Sequence, residues 1–231
     1  MQIAGLLFAL AAQAAAPGPW LEADVAPIPV EMEEEPDLPS PACNDQSLRN
    51  GIQLPDRPEL WSRIQPGAAW GTPEMIEVIT SAAEQMAWLR PDAKPIAIGD
   101  ISHKRGGRIE GHKSHRGGID ADIGLYGKGG TQGRTRFPDL PSRELDLEAN
   151  WLFLKAMLDT GLVQRVLLDQ THIDALRRYT IEAGHLTEDE AYRIFTVRNQ
   201  PRVWAMKGVV SHAPSHRDHF HVRVVCVPTG A

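Results

Sequence analysis

Two histidine-rich stretches, far apart in the chain, constrain its fold more than any other feature. The first runs Gly111-His112-Lys113-Ser114-His115-Arg116-Gly117-Gly118-Ile119-Asp120-Ala121-Asp122, and the second is His216-Arg217-Asp218-His219-Phe220-His221. Together they hold five of the nine histidines. Residues i and i+2 of a strand share a face. In the second stretch and its continuation, Phe220, Val222, Val224 and Cys226 therefore fall on one side while His219 and His221 fall on the other. In the first, Ile119, Ala121 and Ile123 face a core while Asp120 and Asp122 face away from it. Gly117-Gly118 permits a sharp turn that brings His115 back over Asp122. A fold that lays these strands together displays imidazoles and carboxylates on one face. Two imidazoles and one carboxylate are a ligand set of catalytic zinc, with a fourth position left for water. On spacing alone, His112 and His115 are both candidates for the first half, as are His219 and His221 for the second.

The remaining pattern is that of an α+β domain. Thr72-Pro73-Glu74 opens a helix, with a hydroxyl cap, proline in the first turn and an acid at the positive dipole end. Ile76, Ile79, Ala83, Met86 and Ala87 continue it at helical spacing. Lys94 to Asp100 reads as a short buried strand, and Lys104-Arg105-Gly106-Gly107-Arg108 as a basic, substrate-facing loop. Residues 127–143, dense in Gly and Pro, form a loop. A helix spans about Leu145 to Thr160 and stops at Gly161. Val163 to Asp169 is a core strand, and Ile173 to Ala183 is helical. Thr187-Glu188-Asp189-Glu190 is a capping box opening a short helix, and His221 to Val227 is the last strand. The expectation is a small antiparallel sheet carrying the zinc site, flanked by helices. His172 and His185 read as surface or capping histidines, and His103 and His212 as rim or loop ones.

The ends of the chain read differently from its middle. Met1 to Ala16 has an apolar run from Ile3 to Ala12 and the small-residue site Ala12-Gln13-Ala14, a secretory signal by pattern although it lacks Lys and Arg. Residues 17–42 hold seven of the acids, several prolines and no Lys or Arg, which reads as a flexible linker. They account for the net charge of −6: without them 23 acids face 24 Lys plus Arg. A nearly neutral domain excludes a nucleic-acid binder, which needs a strongly basic face. No membrane span remains once the signal is cleaved, since the apolar run is shorter than the ~20 residues needed to cross. Export to an oxidising compartment makes Cys43 and Cys226 a candidate disulfide bracketing a domain over 43–231.

These residues carry a resemblance. The chain resembles the penicillin-insensitive murein endopeptidases, within a superfamily that includes lysostaphin, D-Ala-D-Ala dipeptidases and the hedgehog domain. One superfamily motif is matched by His115, Gly118 and Asp122, the other by His219-Phe220-His221. The closer likeness adds Ile98-Gly99-Asp100, Gly106-Gly107-Arg108, Gly111-His112-Lys113-Ser114-His115 and His216-Arg217-Asp218-His219, with Val222-Arg223 after His221. It implies one zinc per chain held by His115, Asp122 and His221. It implies His216 as general base, His219 beside the metal stabilising the oxyanion, and His112 as a further active-site histidine. Asp120 orients a ligand or binds substrate.

The implied reaction is hydrolysis of the D-Ala–meso-diaminopimelate cross-link of peptidoglycan by metal-activated water, without a covalent intermediate, in the periplasm. Stem peptides are the implied partners, with Lys104, Arg105, Arg108 and Arg116 available to their carboxylates; the oligomeric state is left open. The chain has no S-x-x-K, G-x-S-x-G or H-E-x-x-H motif. Two alternatives use the same residues: a D,D-carboxypeptidase or dipeptidase, and a non-catalytic zinc-binding module for wall recognition.

Overall fold

The computed structural model describes residues 47–130, 135–197 and 208–225. The signal, the acidic linker and both cysteines named above lie outside the described residues. A six-stranded sheet forms the frame, in the order β2 (Trp61–Arg63), β4 (Ile96–Ile98), β5 (Asp120–Gly124), β8 (His219–Val224), β6 (Val163–Leu168), β7 (Val210–His212). Short β1 (Ile52–Gln53) and β3 (Trp70–Gly71) pair separately. The middle pairs, β4 with β5, β5 with β8 and β8 with β6, are antiparallel. The outer pairs, β2 with β4 and β6 with β7, are parallel. The expected α+β architecture holds, and the antiparallel portion is the part that carries the histidines and aspartates.

The core lies on one face of this sheet. Ile96, Ile98, Ala121, Ile123, Val166, Leu168, Phe220, Val222 and Val224 are buried there. They join one apolar cluster with Val78, Ile79, Ala82 and Met86 of α1 (Pro73–Leu89) and Phe153, Leu154 and Met157 of α2 (Leu147–Asp159). Each helix starts where its cap dictates. Thr72 Oγ1 accepts from the Met75 N–H, with Pro73 supplying a preset φ in the first turn. Asp146 and Asp169 cap α2 and α3 (Gln170–Glu182) by accepting from the N–H groups of Ala149 and Thr171. The capping box of α4 (Glu188–Ile194) is complete: Thr187 Oγ1 accepts from Glu190 N–H, and the Thr187 N–H donates to the Glu190 carboxylate.

The opposite face inherits every second residue of the same strands. Register fixes the rows: Asp122 stands beside His221 and His221 beside Leu167, while Asp120 stands beside Arg223 and Arg223 beside Arg165. A slip of one residue would bury the polar set and expose Phe220 and Val222, so the apolar core locks the site's alignment.

Candidate metal centre

Each half of the cluster is built by its own local device. On the first, Asp120 and Asp122 project from β5, the strand whose Ala121 and Ile123 are fully buried. The preceding loop folds back through Gly118, which takes φ +75° and sits where a Cβ would be 3.0 Å from the Gly71 Cα. His115 itself has φ +58°, a left-handed backbone that a histidine rarely holds. The return is that its ring, fully buried, reaches Asp122: Nε2 lies 3.2 Å from Oδ1. His112 lies alongside, its Nε2 3.2 Å from Asp100 Oδ2 and its Nδ1 3.7 Å from Asp122 Oδ2.

On the second half, β8 places His219 and His221 two apart on the site face. His221 Nδ1 is 2.9 Å from Asp122 Oδ1 and 3.2 Å from His115 Nε2. His221 Nε2 is 3.1 Å from Asp120 Oδ1, and Arg223 donates twice to Asp120 at 2.8 Å. His219 Nδ1 bonds Asp218 Oδ1 at 2.7 Å, and its Nε2 lies 3.4 Å from Asp122 Oδ1. His216 Nδ1 donates to the Pro214 carbonyl at 2.7 Å, and its ring centre is 5.1 Å from that of His219 and 5.4 Å from that of His221. All five histidines of the two stretches are thus gathered around Asp122.

Charge follows from these contacts. Burial alone would raise the Asp122 carboxyl, but hydrogen bonds from His115 and His221 hold it far below the ordinary carboxylate range. Burial works against the charged His221, yet the bonds to Asp120 and Asp122 override it and lift the ring to about 9. Asp120 falls to about 2 because His221 and Arg223 outweigh its own desolvation. Burial, helped by nearby His219 and His221, lowers His216. The centre therefore sets ionised carboxylates among nitrogen donors, and His216 favours its neutral ring.

The donor set fits a metal ion. His112, His115 and Asp122 each offer a ligand atom, all within 4.8 Å of one another. A tighter triangle is His115 Nε2, Asp122 Oδ1 and His221 Nδ1, with sides of 3.2, 2.9 and 3.2 Å. Tetrahedral zinc with bonds of about 2.0–2.1 Å spaces its ligands at roughly 3.3 Å. His115 Nδ1, although buried, has no hydrogen-bond partner among the described residues, so the ring's polar contacts run through Nε2 alone.

Residues 43–141 match the model of the penicillin-insensitive murein endopeptidase family. The resemblance read from the sequence is borne out. No curated protein matches the chain. The family match indicates a metallopeptidase acting on peptidoglycan, a substrate outside the cytoplasm. It takes in His112, His115 and Asp122 but ends before the second histidine stretch. Among the described residues, no helix is long and apolar enough to cross a membrane.

Three participants escaped the sequence reading. Asp100, two residues beyond β4, engages His112, a role that the motif Ile98-Gly99-Asp100 does not reveal. Phe137 lies in the stretch expected only as loop, yet its ring stacks on His219 with centres 5.2 Å apart. It packs so closely that a Cβ on Gly99 would meet it at 2.7 Å. His172 corrects an expectation. It is fully buried rather than a surface residue, bonded to Ser142 Oγ at 2.7 Å and to the Arg217 carbonyl at 2.8 Å. With the Asp169 N–H donating to the His216 carbonyl at 2.7 Å, it ties α3 to the loop bearing His216. His103, His185 and His212 are exposed, as expected.

Proposed function

We propose that the chain is a zinc-dependent murein endopeptidase that hydrolyses D-Ala–meso-diaminopimelate cross-links, exported to the periplasm by its N-terminal signal. The observation that carries this reading is the triangle of His115 Nε2, Asp122 Oδ1 and His221 Nδ1, with all sides within 3.2 Å. These three residues would hold the zinc. A bound zinc supplies Lewis-acid polarisation of the scissile carbonyl and acidifies the attacking water.

The chain's own groups supply the proton transfers. His216 commits its Nδ1 proton to the Pro214 carbonyl, which leaves the lone pair of a neutral ring on Nε2. Its lowered pKa keeps that base form populated near neutral pH, and it takes the proton of the attacking water. His219, held by Asp218 on one side and backed by Phe137, turns Nε2 toward the centre, where it donates to the developing oxyanion. His112, oriented by Asp100, is the third catalytic histidine and serves the leaving amine. Asp120 orients His221 through Nε2, the usual task of a carboxylate behind a ligand histidine.

The test is zinc quantification together with a muropeptide digest, on wild type and His115→Ala. Wild type should contain about one zinc per chain and convert cross-linked dimers to monomers, while the variant does neither. Release of terminal D-Ala in place of dimer cleavage would replace the endopeptidase with the carboxypeptidase reading. Undiminished cleavage in excess EDTA would reject the metal altogether.

A further inference from the structure

Beside the histidine cluster, on the same face of the sheet, the charges do not balance. The row next to Asp122 and His221 runs Asp120, Arg223, Arg165 across β5, β8 and β6. Like charges directly opposite on paired strands are destabilising, and here two guanidinium groups stand in one row with a single carboxylate, which bonds only Arg223. Asp120 accepts from Nε and Nη2 of Arg223, which leaves Nη1 uncommitted among the described residues. Arg165 is exposed and pairs with no carboxylate among them. The two arginines, with Ser114, Leu167 and His221, line a cavity of about 180 Å³. Arg223 lies two positions along β8 from His221, roughly 7 Å at the rise of a strand. An arginine pair at one end of a cavity that reaches His221 at the other is suited to an anion borne by whatever occupies the centre.

We propose that Arg165 and Arg223 form a carboxylate subsite for the substrate carboxylate on the carbon that bears the scissile nitrogen. This rests on the reading of the cluster as a peptide-hydrolysing centre. In a meso-diaminopimelate cross-link the acylated nitrogen sits on a carbon carrying its own carboxylate, so each such bond presents that anion beside the leaving group. With the scissile carbonyl at the His221 row, the carboxylate falls toward the Arg223 row. Guanidinium forks match carboxylates in plane and donor spacing. Asp120 holds the Arg223 fork in place and leaves its free edge, with Arg165, to the substrate. A carboxamide at this position keeps the shape and loses the charge, so the subsite selects against amidated cross-links.

The experiment uses two cross-linked peptides, identical except for carboxylate or carboxamide at that carbon. Binding is measured by calorimetry in the zinc-loaded full chain carrying His216→Ala, so that turnover does not interfere, and hydrolysis is measured separately without that substitution. The carboxylate peptide should bind about tenfold to a hundredfold more tightly than the carboxamide, the range of a charge-assisted pair. Adding Arg165→Gln should bring the two affinities close together, Arg165→Lys should restore part of the difference, and added salt should shrink it. Equal binding of the two peptides, absent binding of the carboxylate form, or a preference unchanged by Arg165→Gln overturns the subsite. Intact preference without hydrolysis of either peptide would instead remove the hydrolytic reading and leave the anion subsite standing.

Discussion

The two halves of the centre are built to different tolerances. In the half from Asp100 to Asp122 the residues nearest the centre are inside the protein, although His112 is partly open: His115, Asp120 and Asp122 are all buried, and a left-handed residue and a glycine turn fix the loop that carries His115. The half from Pro214 to His221 is buried only at its end. His221 is 7% exposed, whereas His216 and His219 are partly open, His219 at the first residue of β8 and His216 on the preceding loop, which a few hydrogen bonds tie down. The difference follows the chemistry proposed for each. Metal ligands have to be aligned before the ion arrives, because misplacement is lost affinity. A base and an oxyanion donor have to meet a substrate that comes and goes, and partial exposure gives it access.

The sharpest way to break that comparison is to delete one histidine from each half. His115→Ala should lose bound zinc and reduce hydrolysis to background, read by metal analysis and muropeptide chromatography. His216→Ala should keep its zinc while kcat falls by about 10²–10⁴, the span of a lost general base. Loss of metal from His216→Ala would merge the halves into one ligand set and end the distinction.

His172→Ala probes the tether of the second half to α3. Two partly buried hydrogen bonds, to Ser142 Oγ and the Arg217 carbonyl, are lost, at a cost of about 1–3 kcal/mol in chemical unfolding. Zinc content should hold while kcat drops several-fold, because the loop of His216 loosens and the buried ligands do not move. A variant that loses zinc in proportion to activity would show that the tether supports both halves alike. The smallest effect is expected far from the centre: Thr187→Ala removes the cap of α4 and should cost about 1 kcal/mol with activity unchanged. Lost activity there would mean that global stability, and not the loop, sets the rate.

The centre was legible in the sequence where a strand carried it. Alternation along 119–123 and 219–224 gave both the buried and the displayed faces, because period two survives in any sheet, and the caps at Thr72 and Thr187 stood where helices begin. What alternation does not encode is which strands become neighbours. Arg165 acquired its meaning only when β6 paired with β8, and Val163 to Asp169 read beforehand as an ordinary core strand. Phe137 and His172 were hidden for a related reason. A loop aromatic that fills the space above Gly99, and a helix histidine that reaches a carbonyl 45 positions away, leave no periodic trace. The parallel outer pairs of the sheet were equally invisible, since parallel and antiparallel edges can be written with the same short apolar runs.

The place of β8 in the sheet has a consequence for timing. It is last among the described strands in sequence but stands in the middle in space, between β5 and β6. Until residues 219–224 insert, the sheet is two separate pieces, and His115 and Asp122 lack His221. Contacts between residues so distant in sequence form late, after the entropy of closing the intervening chain has been overcome. A molecule still being synthesised therefore carries its histidines as unassembled side chains. The proposed hydrolytic activity is therefore expected only once β8 has taken its place between β5 and β6.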